Sequence, residues 1–159
     1  MVRLGKLTDY GLVLMTYMAR SQDPLRTARD LAAESKLPLS TVSKLLKGLL
    51  RSGLLVSHRG TNGGYVLARA PREISVLEII AAFEGLVALT ECSTEVTGLC
   101  DLESSCPIKN NQRVINEAVR GVLGKITLSD LMQPLQLASV NDLTGKLVPI
   151  IRSIPGRIQ

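Results

Sequence analysis

Residues 27–53, TARDLAAESKLPLSTVSKLLKGLLRSG, constrain the fold more tightly than any other stretch of the chain. Thr27 followed three positions later by Asp30 is close to a capping box, so a helix is expected to start there. Pro38 limits how far that helix can run, because proline disfavours helical geometry at the residue before it. A second helix follows. Val42, Leu45, Leu46, Leu49 and Leu50 recur at the spacing of one buried face, Ser40 is placed to cap its start, and Gly53 ends it. The opposite face offers Ser40, Thr41, Ser43, Lys44 and Lys47. Short helix, turn and cationic helix form a helix-turn-helix, whose second helix can lie in a major groove. An ordinary helical hairpin with a solvated polar face would carry the same pattern.

The flanks narrow the choice. Ahead of it, LTDYGLVLMTYMAR places Leu7, Tyr10, Leu14, Tyr17 and Met18 on one face of a helix, with Thr8 as its expected N-cap. SQDPLR then breaks the pattern. Behind it, LLVSHRGTNGGYVLARA reads as two short strands around a glycine-rich turn, a wing directly after the cationic helix. Arg59 at the tip is placed to enter a minor groove or grip a phosphate. Arg26, Thr61 and Arg69 complete the set of candidate DNA contacts. His58, the one histidine, is read as a wing or packing residue. The Gly63–Gly64 pair is no nucleotide-phosphate loop, since no helix follows it.

In ISVLEIIAAFEG, Ser75 and Glu78 form a second capping box, Ile74 and Ile79 match a hydrophobic staple, and Gly85 ends the helix. A loop follows, then CPIKNNQRVINEAVRGVLGKI, with Pro107 expected in its first helical turn. Ile108, Ile115, Val119, Val122 and Ile126 form an apolar stripe long enough to pair with another helix. Packing back on its own domain would cover that stripe, but a second copy covers it and also presents two recognition helices to two half-sites. A homodimer facing two half-sites of double-stranded DNA is therefore expected. TLSDLM opens one more short turn.

The formal charge of +5 is uneven. Residues 1–75 hold 12 Lys and Arg against 5 Asp and Glu, whereas residues 76–159 hold 7 against 9. A cationic first half suits a polyanion, although an unevenly charged solvated surface would look alike. Aromatics amount to only 3%, which favours leucine-rich helices over a β-sandwich core. No run of about 18 apolar residues predicts a membrane span, and the N-terminus lacks a signal-peptide core, so a cytoplasmic protein without membrane contact is expected. The fold class is mainly α with a small β-hairpin wing. Residues 1–75 are expected to form the winged helix-turn-helix domain, its first helix also serving the dimer core. Residues 76–131 carry the loop and the dimerisation helix, and 132–159 a tail.

All three cysteines, Cys92, Cys100 and Cys106, lie in that one loop in the pattern C-x7-C-x5-C, among Glu91, Glu95, Asp101 and Glu103. In a reducing compartment an odd set of close thiols argues for metal or redox chemistry over disulfides. Thiolates suit zinc, Cu(I) and iron–sulfur clusters, and the paired C-x-x-C knuckles of a zinc ribbon are absent. Three free thiols remain compatible with the spacing. An enzyme is the least supported class, since no Cys–His nucleophile pair or nucleotide motif is present.

LTDYGLVLMTYMA, LAAESKLPLSTVSKLLKGLLRSGLL, HRGTNGGYVLARAPREISVLEII and the cysteine triad before a helix ending ITLSDL together resemble the Rrf family of winged-helix regulators. That family is typified by the iron–sulfur regulator IscR and the nitric-oxide sensor NsrR. The resemblance spans roughly residues 3–131, and LTDYG looks like the branch that regulates the SUF iron–sulfur assembly operon. It implies a homodimeric repressor bound to a palindromic operator, with the long helix as the dimer element and Cys92, Cys100 and Cys106 as ligands of an iron–sulfur cluster, 2Fe–2S ahead of 4Fe–4S. One departure stands out: where the IscR pattern has a ligating histidine, three residues after the last cysteine, this chain has Lys109. Other members take an acidic fourth ligand from the partner's first helix, which points to Asp9. Glu91, Asp101, Glu103 or water are the fallbacks, and Asp9 also suits an early-helix acid favoured by the macrodipole. A cluster-free thiol regulator and a zinc-stabilised DNA binder are the alternatives.

Overall fold

The computed structural model describes residues 3–135 except 61, 95 and 97. Most of the tail expected over 132–159, and the candidate contact Thr61, lie outside the described residues. The elements run α1 (Lys6–Arg20), α2 (Ala28–Ser35), α3 (Leu39–Arg51), β1 (Leu55–His58), β2 (Gly64–Leu67), α4 (Val76–Glu84) and α5 (Lys109–Lys125). Short 3-10 turns occupy Pro71–Glu73, Glu91–Ser93 and Asp130–Met132.

The two capping boxes form as the sequence dictates. Thr27 accepts from the backbone of Asp30 while Asp30 reaches back to Thr27, and Ser75 and Glu78 do the same at α4. Two other caps differ from expectation. Helix α3 starts at Leu39 with Pro38 at the N-cap position and no side-chain cap, so Ser40 lies inside the first turn. Helix α1 starts at Lys6, and Thr8 sits within it, 1% exposed. Its hydroxyl instead donates to Glu84 Oε1, which also accepts from the Gly5 amide at 2.8 Å. The last residue of α4 thus satisfies the start of α1 across 79 positions of sequence. These bonds, the Thr8 hydroxyl first, hold the Glu84 carboxyl below its ordinary value.

One core joins the elements. Leu14, Met15 and Met18 of α1, Leu31 of α2, Val42, Leu45, Leu46 and Leu49 of α3, and Leu54, Leu55, Ile74, Ile79 and Leu128 pack together. Phe83 of α4 lies between α1 and α3. A Cβ built on Gly11 would stand 2.3 Å from its Cε2, and one built on Gly48 2.9 Å from its Cε1, so only glycine fits at both contacts. Strands β1 and β2 pair antiparallel with Leu55 opposite Leu67 and His58 opposite Gly64. A short third segment joins them, because Arg26 bridges Tyr65 by backbone bonds of 3.0 and 2.8 Å. Gly64 permits that approach: a Cβ there would meet the Arg26 carbonyl oxygen at 2.8 Å.

Helices α4 and α5 are tied at the end away from the cysteines. Val76 N donates to Ile126 O and Leu128 N to Ile74 O, both at 2.8 Å. Helix α5 begins at Lys109, so Pro107 stands before the helix in a turn instead of within its first turn. On the stripe, Ile115 is 49% and Val119 36% exposed in the single chain.

Candidate functional site

Helix α3 buries its leucine face and turns its other face outward. Ser40, Lys44 and Lys47 are exposed, with Thr41 and Ser43 half-buried beside them. Because Pro38 supplies no side-chain cap, the first backbone N–H groups of α3 keep no partner of that kind. Such a helix start is suited to a phosphate. Lys36, in the turn two residues before Pro38, is exposed and adopts a left-handed φ of 56°. It adds a cation ahead of α3 that sequence reasoning missed, since helical periodicity says nothing of a turn residue. At the wing, Arg59 and Asn62 are exposed around a turn closed by Gly63 N donating to Gly60 O at 2.9 Å.

Two candidate contacts prove to be engaged elsewhere. Arg26 is turned inward, its side chain 8% exposed, and its guanidinium pairs with Glu34 of α2. It fastens α2 to the base of the wing, through Glu34 and the backbone bridge to Tyr65. Arg69 donates to the Glu73 carbonyl at 2.9 Å and pairs with Glu78 at 2.6 Å. It remains exposed at the rim. Desolvation pushes the Glu78 carboxyl upward, but the Ser75 amide and Arg69 outweigh it and hold the group below its ordinary value.

The cysteine loop runs from the end of α4 to the start of α5. Cys92, Cys100 and Cys106 are free thiols of intermediate exposure. Cys92 Sγ lies 3.4 Å from Thr90 Oγ1. Cys100 lines an open cleft with Gly98, Asp101, Glu103, Ser104 and Lys109. Lys109 pairs with Glu103 Oε1 at 3.0 Å, and Glu103 Oε2 accepts from Gly98 N at 2.7 Å. The Gly98 amide first, then Lys109, hold the Glu103 carboxyl below its ordinary value. Lys109 therefore braces the loop.

Asp9 is exposed in the first turn of α1 and lines a separate cleft with Arg3, Leu4 and Lys6. Among the described residues, no three of the His, Cys, Asp and Glu side chains converge on a point that could hold a metal ion. The donor set itself is chemically suited to a soft iron–sulfur centre: three unpaired thiols in an acidic loop. No helix among the described residues is long and apolar enough to cross a membrane.

Comparison with known proteins agrees with this geometry. The chain is 32% identical over 135 residues to the HTH-type transcriptional regulator NsrR of Halalkalibacterium halodurans, covering 82% of this chain and 90% of that one. It is 30% identical over 143 residues to the HTH-type transcriptional regulator IscR of Cronobacter sakazakii, covering 89% and 86%. Among solved structures, CymR, described as the global cysteine regulator of B. subtilis, superposes with a TM-score of 0.64. The two share 28% identity over 83% of this chain and 97% of CymR. IscR from T. potens superposes with a TM-score of 0.61 at 26% identity, over 85% and 93%. These relatives are transcriptional regulators, not enzymes. The Rrf2 family model, described as iron-dependent transcriptional regulator, matches residues 4–134, from the residues before α1 to beyond the last 3-10 turn, and the chain belongs to that family.

Proposed function

We propose that this transcriptional regulator works in the cytoplasm as a homodimer on a palindromic operator and reads iron–sulfur, redox or nitric-oxide status through its cysteine loop. The observation that carries the sensing role is the loop itself, which gathers every thiol of the chain between α4 and α5. Cys92, Cys100 and Cys106 would hold an iron–sulfur cluster, 2Fe–2S ahead of 4Fe–4S, with Asp9 of a second copy as the fourth ligand. When bound, the cluster supplies oxidation- and nitric-oxide-sensitive chemistry. The names of the NsrR and IscR relatives support this reading.

In the proposed DNA complex, Ser40, Thr41, Ser43, Lys44 and Lys47 enter the major groove while Arg59 reaches the flanking minor groove. Domain roles follow the same division: residues 1–75 grip DNA and residues 76–131 sense and pair. The half-exposed Ile115 and Val119 of α5 support a second copy as the cover for the stripe. Control runs through packing, because α4 touches both α1 and α3 through Phe83 and leads directly into the loop. Regulation of iron–sulfur assembly genes is the proposed outcome.

Electronic and paramagnetic spectra of anaerobically prepared protein test the proposal, with wild type beside Asp9→Ala and Cys100→Ala. Visible charge-transfer bands with stoichiometric iron and sulfide, altered in both variants, are expected. Colourless protein lacking iron refutes the cluster. A second reading, a cluster-free thiol regulator, is favoured by the failure of the described ligands to converge within one chain and by the cysteine-regulator description of CymR. Stoichiometric zinc would instead mark a zinc-stabilised DNA binder.

A further inference from the structure

A further cleft lies between α5 and the chain that follows α4, beside the Cys92 segment. It encloses about 240 Å³ and is lined by Leu86, Ser93, Thr94, Arg113, Asn116, Glu117 and Arg120. That is room for roughly eight waters at bulk density. Arg113, Asn116 and Arg120 fall at three- and four-residue intervals, on one face of α5. Among the described residues neither arginine forms a salt bridge; Arg120 has only a long contact, 3.5 Å, to the Val87 carbonyl.

Between them stands Asn116, the one residue of α5 that is buried, at 4% exposure. Its Oδ1 accepts from Leu89 N at 3.0 Å. Its amide NH2 has no hydrogen-bond partner among the described residues, yet no buried side-chain polar atom among them is left unpaired. Asn116 lines the cleft, which places its amide donor on the cleft wall. Two guanidiniums and an amide on one face of α5 are N–H donors suited to a carboxylate. Glu117 on the same wall lowers the net charge of the lining to +1 among the described residues, since two arginines face one glutamate. That balance disfavours a phosphate dianion, and it gives an acceptor for a donor group next to the carboxylate.

We propose that this cleft binds a small monocarboxylate bearing an adjacent N–H or O–H donor, the chemistry of an α-amino or α-hydroxy acid. Arg113, Arg120 and the Asn116 amide hold the carboxylate, and Glu117 takes the donor. The ligand would rest against Ser93 and Thr94, flanking Cys92, and so couple a small-molecule signal to the sensing loop.

Calorimetric titration of the full-length protein tests this with four probes: L-serine, L-lactate, propionate and inorganic phosphate. The same titrations on a variant with all three cysteines changed to serine keep the outcome independent of any cluster. Saturable binding of L-serine or L-lactate is expected, and their relative affinity separates the amino acid from the hydroxy acid. Propionate should bind at least tenfold more weakly. Arg113→Gln and Arg120→Gln should each weaken binding about tenfold or more, with the thermal midpoint of the free protein unchanged. The proposal is overturned if neither acid saturates, if phosphate or propionate binds as well, or if both arginine variants bind like wild type.

Discussion

Replacing Gly11 by alanine tests how α4 is locked against α1 and α3. The new Cβ would stand 2.3 Å from Phe83 Cε2, 2.9 Å from Cζ and 3.1 Å from Cδ2. Carbon atoms prefer about 3.5–4.0 Å, so the ring must move by more than an ångström. It has little freedom to do so, since Gly48 of α3 closes the other side. Overpacking of this kind costs about 1–3 kcal/mol, and a clash this deep belongs at the upper end. Alanine regains about 1 kcal/mol of helix propensity over glycine, leaving a net loss of about 2 kcal/mol. For a chain of 159 residues that is a drop in melting temperature of about 4–8 °C. Calorimetry or circular dichroism should show it, and should show Gly11→Ala costing nothing, or stabilising, in a Phe83→Leu background. An unchanged cost in that background, or a stabilising Gly11→Ala in the parent protein, would refute the wedge. Operator affinity measured on the same proteins asks whether loosening the wedge also shifts the regulatory set point.

Other outcomes follow from the same structure. Ser75→Ala removes the cap of α4 and should cost about 1 kcal/mol in denaturant unfolding. Asp30, Glu78, Glu84 and Glu103 are all held below their ordinary values, which are 3.8 for aspartate and 4.5 for glutamate. Their contribution is present above those values and lost as pH falls through the lowered folded ones, so stability should decline below about pH 4.5. Lys44→Ala and Lys47→Ala should each flatten the log–log salt dependence of operator binding by about 0.9, whereas Arg26→Gln should leave that slope unchanged while lowering the melting temperature. Lys109→Ala should raise the alkylation rate of Cys100, as measured by mass spectrometry, by freeing Glu103 and the loop it braces.

What could be read in advance depended on the range of the interaction. The boxes at Thr27–Asp30 and Ser75–Glu78 each close within three residues, and both were legible. The leucine stripe of α3 was legible because its period reports one buried face. Thr8 was misread as a cap because its partner, Glu84, comes from another helix 76 residues away. Arg26 looked like a surface cation because its burial depends on pairing with Tyr65 across the wing and with Glu34 on α2. Ser40 was displaced as a cap by Pro38, whose backbone already has the extended geometry the position needs. At the site, the three thiols were visible as a pattern in the sequence, and Lys109 as a departure from the family's. The brace that Lys109 forms with Glu103, and the buried amide of Asn116, depend on how the loop lies against α5 and left no periodic trace.

Control of DNA binding by the thiols is tested most directly by operator affinity under anaerobic conditions. Wild-type protein is compared with a variant carrying serine at positions 92, 100 and 106, both shown to be folded and of the same oligomeric state. A coupling of about 1.4–3 kcal/mol predicts operator dissociation constants that differ roughly ten- to hundredfold, with the difference abolished when the wild type is exposed to nitric oxide. Equal affinities before and after that exposure would contradict it.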